Sequence, residues 1–401
     1  MGPSAIRDVL VIGGGPAGAA TAIFLKQRGH DVLLIDTAHF PRDKICGEGV
    51  SPEAWRSLRA LGAEPAVTAL RPWPLRGMTL FSPDGTSFSG EYRGSRRAGF
   101  AVRRRELDHA LLACASAAGV EVHEGTRASG LVRSNGRVDG VTADEQGRTT
   151  ILRARVLIAA DGRRSLLARR LGLLREHRRL RKFAVRGHWE GMEGLRERGE
   201  MHVGGGGYCG IAPLSASRAN VTFVLDRRAL APARAGLAAF YRSALRERWP
   251  RVAERLEKAA LLEPPRAIGP LALQARRLSF PGGLLVGDAA GFYDPFTGEG
   301  VTLALRGAEL AAEVADRALR RGATSTRLVE YDRLRDEATR DKFRLNRLLQ
   351  RVVGWPALSN AVAHRLAERN DLADRLVGIA GDFVPARTAF DLAFLRDLLL
   401  G

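Results

Sequence analysis

Val11-Ile12-Gly13-Gly14-Gly15-Pro16-Ala17-Gly18 joins an apolar run to a helical pattern, and this junction decides the fold. Upstream, Asp8–Gly13 reads as a buried strand. Downstream, a helix is predicted from about Pro16 to Arg28, with Gly29 as its stop and a second strand at Val32–Ile35. Gly13, Gly15 and Gly18 fit GxGxxG. The first permits the tight turn, the second lets backbone approach a pyrophosphate, and the third lets helix and strand pack closely. The helix N-terminus then presents free N–H groups and a positive dipole end to the phosphates. Asp36 closes the second strand 18 residues after Gly18, placed to accept hydrogen bonds from a ribose. Together these features predict a dinucleotide-binding βαβ unit.

Outward from that unit, helices are expected near Pro52–Leu61 and Arg105–Ala118, with strands of a small sheet between Val120 and Ala159. Longer strands fill Arg181–Asp226, broken by the glycine run Gly204–Gly207. Helices at about Ala233–Arg246 and Arg251–Ala260 follow, then a strand at Gly283–Val286, and the chain is helical from about Gly300. The fold class predicted is α/β. A Rossmann-type parallel-sheet domain is assembled from 1–75, 100–178 and 268–340, a β-sheet substrate domain from 76–99 and 179–267, and a helical C-terminal extension from 341–401.

The 401 residues, 45% hydrophobic, suffice for two or three such units. The formal charge of +19 would attract an anionic partner, but the arginines are spread along the chain as on a solvated surface. No helix-turn-helix, zinc-finger or RNA-binding signature is present, so no nucleic-acid partner is expected. Cys46, Cys114 and Cys209 are too scattered for a disulfide framework, and the histidines form no metal-binding pattern. The first thirty residues lack a long apolar stretch, and no later run reaches a membrane-spanning length; a cytoplasmic protein is expected. Basic clusters lie at Arg175–Arg186 and Arg340–Arg351. In the second, Lys342, Arg344, Arg347 and Arg351 alternate with Phe343, Leu345, Leu348, Leu349, Val352 and Val353, ending at Trp355. Its apolar face either packs on the dinucleotide domain or makes peripheral contact with an anionic membrane.

Two later segments bear on the nucleotide. Ala159-Ala160-Asp161-Gly162, with Ser165 and Arg169, and Gly287-Asp288-Ala289-Ala290-Gly291, with Pro295 and Gly298-Glu299-Gly300, resemble the second and third fingerprints of the FAD-containing hydroxylase and geranylgeranyl reductase superfamily. The resemblance spans most of the first 320 residues and implies a glutathione-reductase-like FAD domain of the hydroxylase subfamily. It implies FAD as cofactor, with Asp161 in the site, Asp288 on the ribityl chain and the backbone after Pro295 facing the flavin ring. Arg104 matches the arginine that opens a helix near the FAD phosphates. At Gly298–Gly300 a helix begins, and its N-terminus beside the flavin's pyrimidine edge would stabilise the negative charge of the reduced ring.

Within the superfamily the chain is most similar to geranylgeranyl-reductase-like flavoproteins, through Lys44-Ile-Cys46-Gly47-Glu48-Gly49, Gly207–Pro213 and Gly291–Gly300. Cys46, Glu48, Tyr208, Pro295 and Gly298 are the candidate catalytic positions. Where prenyl reductases carry Tyr-x-Trp-x-Phe-Pro, this chain has Tyr208-x-Gly210-x-Ala212-Pro213, which widens or reshapes the pocket. The GDAAH of aromatic hydroxylases ends here in Gly291, and the Phe-x-Asp-Pro shared with flavin halogenases, Phe292–Pro295, comes without their Trp-x-Trp-x-Ile-Pro. The expected activity is reduction or oxidation of a carbon–carbon double bond in a lipophilic, isoprenoid- or polyketide-like substrate. Monooxygenation is the alternative and halogenation ranks third. A basic binding protein that merely keeps a flavin fold is the non-enzymatic reading. With a single GxGxxG, electrons would come from transiently docking NAD(P)H or from a separate reductase partner.

Overall fold

A computed structural model describes residues 6–176, 181–322 and 325–399; Arg178 and Arg179 of the first basic cluster lie outside them. Strand β1 (Arg7–Ile12), helix α1 (Pro16–Gln27) and strand β2 (Val32–Ile35) form the opening βαβ unit. The chain enters a second sheet through β3 (Gly77–Phe81) and β4 (Ser87–Glu91), then returns through α2 (Arg104–Ala117) and β5 (Glu121–His123). After a hairpin of strands at Thr126–Ser134 and Arg137–Glu145 it lays down β6 (Arg148–Ala159). Strands β7 (Lys182–Glu190), β8 (Gly199–Gly204), β9 (Gly207–Pro213) and β10 (Arg218–Asp226) build out the second sheet. Strand β11 (Gly283–Leu285) rejoins the first, and helices α3 (Gly300–Arg320), α4 (Glu330–Val353), α5 (Pro356–Glu368) and α6 (Asn370–Ala380) follow.

The first sheet runs β11-β6-β1-β2-β5 with every one of these pairs parallel. A parallel sheet is covered on both faces, which is why β1 is apolar at successive positions. Val9 and Val11 face a core shared with α1 and α3, while Leu10 and Ile12 face the hairpin side. Each such buried side chain contributes about 1.5–3 kcal/mol relative to exposure. Because β1 is flanked by β2 on one side and by β6 on the other, its carboxyl end lies where the strand order reverses, and a crevice opens beyond it.

In the second sheet the order is β7-β10-β9-β8-β3-β4. One face packs Trp189 and Phe223 against Tyr241 and Trp249, which come from helices at Leu237–Arg248 and Pro250–Arg255 and the turn between them. The other turns Met201 and Tyr208 toward Phe292 and Phe296 of the segment after β11. Edge strand β4 is closed by the C-terminal helices. Ala373 O lies only 2.5 Å from where a Cβ on Gly90 would sit, so that position takes only glycine, and Glu91 N donates to Asp374 Oδ1 at 2.7 Å. Covering the edge removes a site for unwanted strand pairing. Helix α4 runs unbroken across residue 340, where the sequence pattern puts the start of the extension, and it touches both sheets' domains.

Candidate active site

The three glycine-bearing segments meet at the crevice. Gly13 has φ 107°, and a Cβ there would approach Ala160 O to 2.4 Å, so the first segment is seated against the second. A Cβ on Gly18 would fall 1.8 Å from Gly13 O, which makes the third glycine obligatory for α1 to pack on its own turn. Gly287 has φ 63° and lies where a Cβ would meet Ala17 Cβ at 2.6 Å, bringing the third segment onto the first turn of α1. At Gly15 the nearest atom to an added Cβ is Arg42 Nη2, 3.4 Å away, and Gly15 caps α1 with no side-chain hydrogen bond. The second glycine therefore opens toward a space bounded by free helix N–H groups and a guanidinium, the donor set a pyrophosphate needs.

Acidic groups surround this space. Asp36 accepts from Gly14 N at 2.6 Å and from Ala38 N at 2.8 Å, so its carboxylate shapes the glycine turn. Asp161 accepts from Leu166 N at 2.6 Å, while its buried Oδ1 has no protein partner. Burial pushes its pKa up. Asp288 accepts from Lys44 Nζ at 3.0 Å; burial pushes its carboxyl up, but Lys44, Arg104 and Arg163 hold it below the usual range. Arg104 opens α2 as expected and is buried in a bidentate pair with Asp108, at 2.8 Å on both arms, with Arg42 Nη1 on the same carboxylate at 2.9 Å. Glycine cradle, orphaned Asp161 oxygen and arginines suit a dinucleotide such as FAD. Arg42 carries no motif signal, since only the fold brings it beside Gly15.

Glu48 is buried in the left-handed region at φ 64° between two glycines. Its carboxylate accepts from Arg104 N (3.0 Å), His188 Nε2 (2.7 Å) and Asn220 Nδ2 (2.9 Å), so it ties the start of α2 to β7 and β10. His188 Nδ1 bonds Glu263, and Arg186, fully buried, is bidentate to Asp43. Cys46 lies in this joint: its Sγ accepts from Glu48 N at 3.4 Å and its carbonyl from Asn220.

Tyr208 is buried, with its O–H donating to Asp294 Oδ1 at 2.5 Å and its ring edge-on to Phe296 at 5.1 Å. Burial, reinforced by Asp294, pushes its hydroxyl pKa well up, so it stays a proton donor. Burial likewise raises Asp294, against the nearby Lys182 and the Tyr208 hydrogen bond. Pro295 O accepts from Gly298 N at 2.9 Å, and Gly298, at φ 69°, turns the chain into α3, which begins at Gly300. Sequence periodicity misplaces one side chain here. Lys342, grouped in sequence with the basic residues of α4, is buried on Glu299 at 2.6 Å and Asp382 at 3.0 Å, because α4 turns a polar stripe of Arg335, Thr339, Lys342 and Asn346 inward. With Asp288, Phe292, Asp294 and Glu299, Arg335, Lys342 and Asn346 of that stripe line a cavity at the start of α3. Leu345 is buried as the amphipathic pattern requires, and Arg344, Arg347, Arg351 and Trp355 are exposed.

Glycine segments meeting at a strand crevice, beside a buried proton donor and an apolar wall, define a flavin-dependent oxidoreductase of the Rossmann class. The chain belongs to the FAD binding domain family, whose model matches residues 7–344. It is 34% identical over 327 residues to a menaquinone reductase of Mycolicibacterium smegmatis, covering 77% of this chain and 76% of the relative. A digeranylgeranylglycerophospholipid reductase of Methanocella arvoryzae is 29% identical, covering 90% and 91%. The solved flavin-dependent halogenase CmlS superposes with a TM-score of 0.79 over 100% of this chain and 68% of its own, at 24% identity, a likeness of fold. The resemblance to geranylgeranyl-reductase-like flavoproteins and the FAD assignment thus stand, and the enzyme is an FAD-dependent oxidoreductase.

Proposed function

We propose that this enzyme reduces a carbon–carbon double bond in the isoprenoid chain of a lipophilic substrate. Bound FAD would supply the hydride, as flavins do. Gly13, Gly15, Gly18, Asp36, Arg104, Asp161, Gly287 and Asp288 would hold the nucleotide, and the turn Pro295–Gly300 would carry the flavin ring at the N-terminus of α3.

The observation that carries the reading is Tyr208. Its hydroxyl is held by Asp294 one residue before Pro295, among Met201, Val224, Leu271 and Phe296. Reduction of an alkene needs a proton beside the hydride, and the Tyr208 hydroxyl, which carries its proton in this buried place, is the group proposed to give it. The apolar wall excludes water and suits an isoprenoid chain, as do the activities for which the reductase relatives are named. Cys46 and Glu48 act by positioning, through the joint between α2 and the second sheet. Electrons arrive from NAD(P)H docking transiently or from a separate reductase. Among the described residues no helix is long and apolar enough to cross a membrane. The test is product mass after incubating holoenzyme, reductant and a geranylgeranyl lipid, which has no quinone ring to take up hydrogen. A gain of two hydrogens supports the proposal; a gain of one oxygen assigns monooxygenation instead.

A further inference from the structure

We infer that Glu299, in file with Lys342 and Asp382, is a redox-linked proton site: it takes one proton from solvent when the bound flavin is reduced and returns it on reoxidation. The inference rests on the proposed position of the flavin ring at the start of α3, and not on the identity of the substrate.

Glu299 immediately precedes α3, is 5% exposed, and lines the cavity together with Asp288, Gly291 and Asp294. Its Oε1 accepts from Lys342 Nζ, which also donates to the carbonyl of Ile379 and pairs with Asp382. The Asp382 side chain is 20% exposed, so the file leads from the cavity to solvent through three polar groups. Fully charged, it holds two carboxylates against one ammonium, an excess negative charge in a buried place. The other groups facing it are Thr297 on its own turn, Arg335 and Asn346 on α4, Tyr92 after β4, and Asp288 and Asp294 across the cavity. Burial pushes Glu299 up to about 7; Lys342 opposes this and Asp382 adds to it. Lys342, although burial opposes its charge, is held above its ordinary value by the two carboxylates.

Hydride from the reductant brings two electrons and one negative charge into the cavity. A neighbouring carboxylate then becomes harder to keep ionised, and it binds a proton. When the hydride leaves for the substrate, the cavity loses that charge and the carboxyl returns the proton to solvent, while Lys342 stays charged between the two carboxylates. Charge in the cavity is the same before and after each half-reaction.

The experiment measures the flavin midpoint potential of holoenzyme against pH, for the wild type and Glu299→Gln. Over the pH range in which Glu299 is ionised beside oxidised flavin and protonated beside reduced flavin, the wild-type potential should fall more steeply than the variant's by about 30 mV per pH unit, which is one proton per two electrons. At lower pH the carboxyl is protonated in both redox states and the lines should run parallel. Asp382→Asn removes a like charge, lowers the pKa of Glu299, and should move the onset of the steep segment to lower pH. Lines parallel throughout in FAD-loaded protein, or an onset that Asp382→Asn does not move, would overturn the assignment of Glu299 alone. Protein that takes up no FAD would contradict the flavin reading itself.

Discussion

Lys44 Nζ donates to Asp288 Oδ2 at 3.0 Å, joining the loop after β2 to the third glycine segment across 244 residues of chain. The pair marks where the cofactor's ribityl chain is proposed to lie. Asp288→Ala should weaken FAD binding by about tenfold or more, since a hydrogen bond to a charged group is worth about 1.5–3 kcal/mol. Titration of deflavinated protein with FAD measures it, and an unchanged Kd would remove Asp288 from the site.

Gly15 and Gly18 should fail differently. Gly15 has room for a methyl group and an ordinary backbone, so Gly15→Ala should fold with a normal Tm yet lose FAD affinity, and Gly15→Val more so. Gly18→Ala collides with backbone at Gly13 and should lower Tm as well. Equal thermal stability of Gly18→Ala and wild type would contradict the packing described.

Tyr208→Phe keeps the ring packed on Phe296 and removes only the hydroxyl. Turnover on an isoprenoid substrate should fall by about 100-fold or more, as expected for loss of a general acid. Flavin content and the rate of flavin reduction should stay unchanged. A variant as fast as the wild type would return Tyr208 to a packing role.

The joint between the domains should be acid-sensitive. Asp43 is pushed up by burial but held far below its ordinary pKa by Arg186 and Arg266. A carboxylate with a depressed folded-state pKa stabilises the fold above its unfolded pKa, and that stability is lost as pH falls through the folded value. Arg186→Met should cost about 3 kcal/mol at neutral pH and flatten the acid limb of a stability–pH curve. Urea denaturation across the acid range checks both.

The exposed face of α4 bears on membrane contact. Arg344, Arg347, Arg351 and Trp355 are exposed, whereas Lys342 is not available to a lipid surface. Peripheral association predicts sedimentation with anionic vesicles that falls with added salt and with Arg344→Glu plus Arg347→Glu. Equal, negligible sedimentation with anionic and neutral vesicles would leave these arginines as solvated surface.

The βαβ opening was legible because glycine, proline and acid each have a local backbone reason to stand where they do. Asp161 and Asp288 were legible only through resemblance, since nothing in their spacing brings β6 and β11 beside β1. Helix α4 was the harder case. Its period announces an amphipathic helix, but an inward polar stripe looks the same in sequence as a solvated one, and Lys342 and Arg335 were concealed by that symmetry. Arg42, His188 and Asp382 meet their partners only through the fold. The closing of β4 by α5 and α6 likewise depends on long-range packing that no local pattern encodes.

Reoxidation of the flavin without oxygen tests the central claim most directly. Holoenzyme is reduced anaerobically and mixed with a prenylated quinone or geranylgeranyl lipid while the flavin absorbance is followed. Return of the oxidised spectrum, in proportion to the alkene reduced, is the expected result. A spectrum that stays bleached until oxygen is admitted, with the alkene untouched, would contradict it.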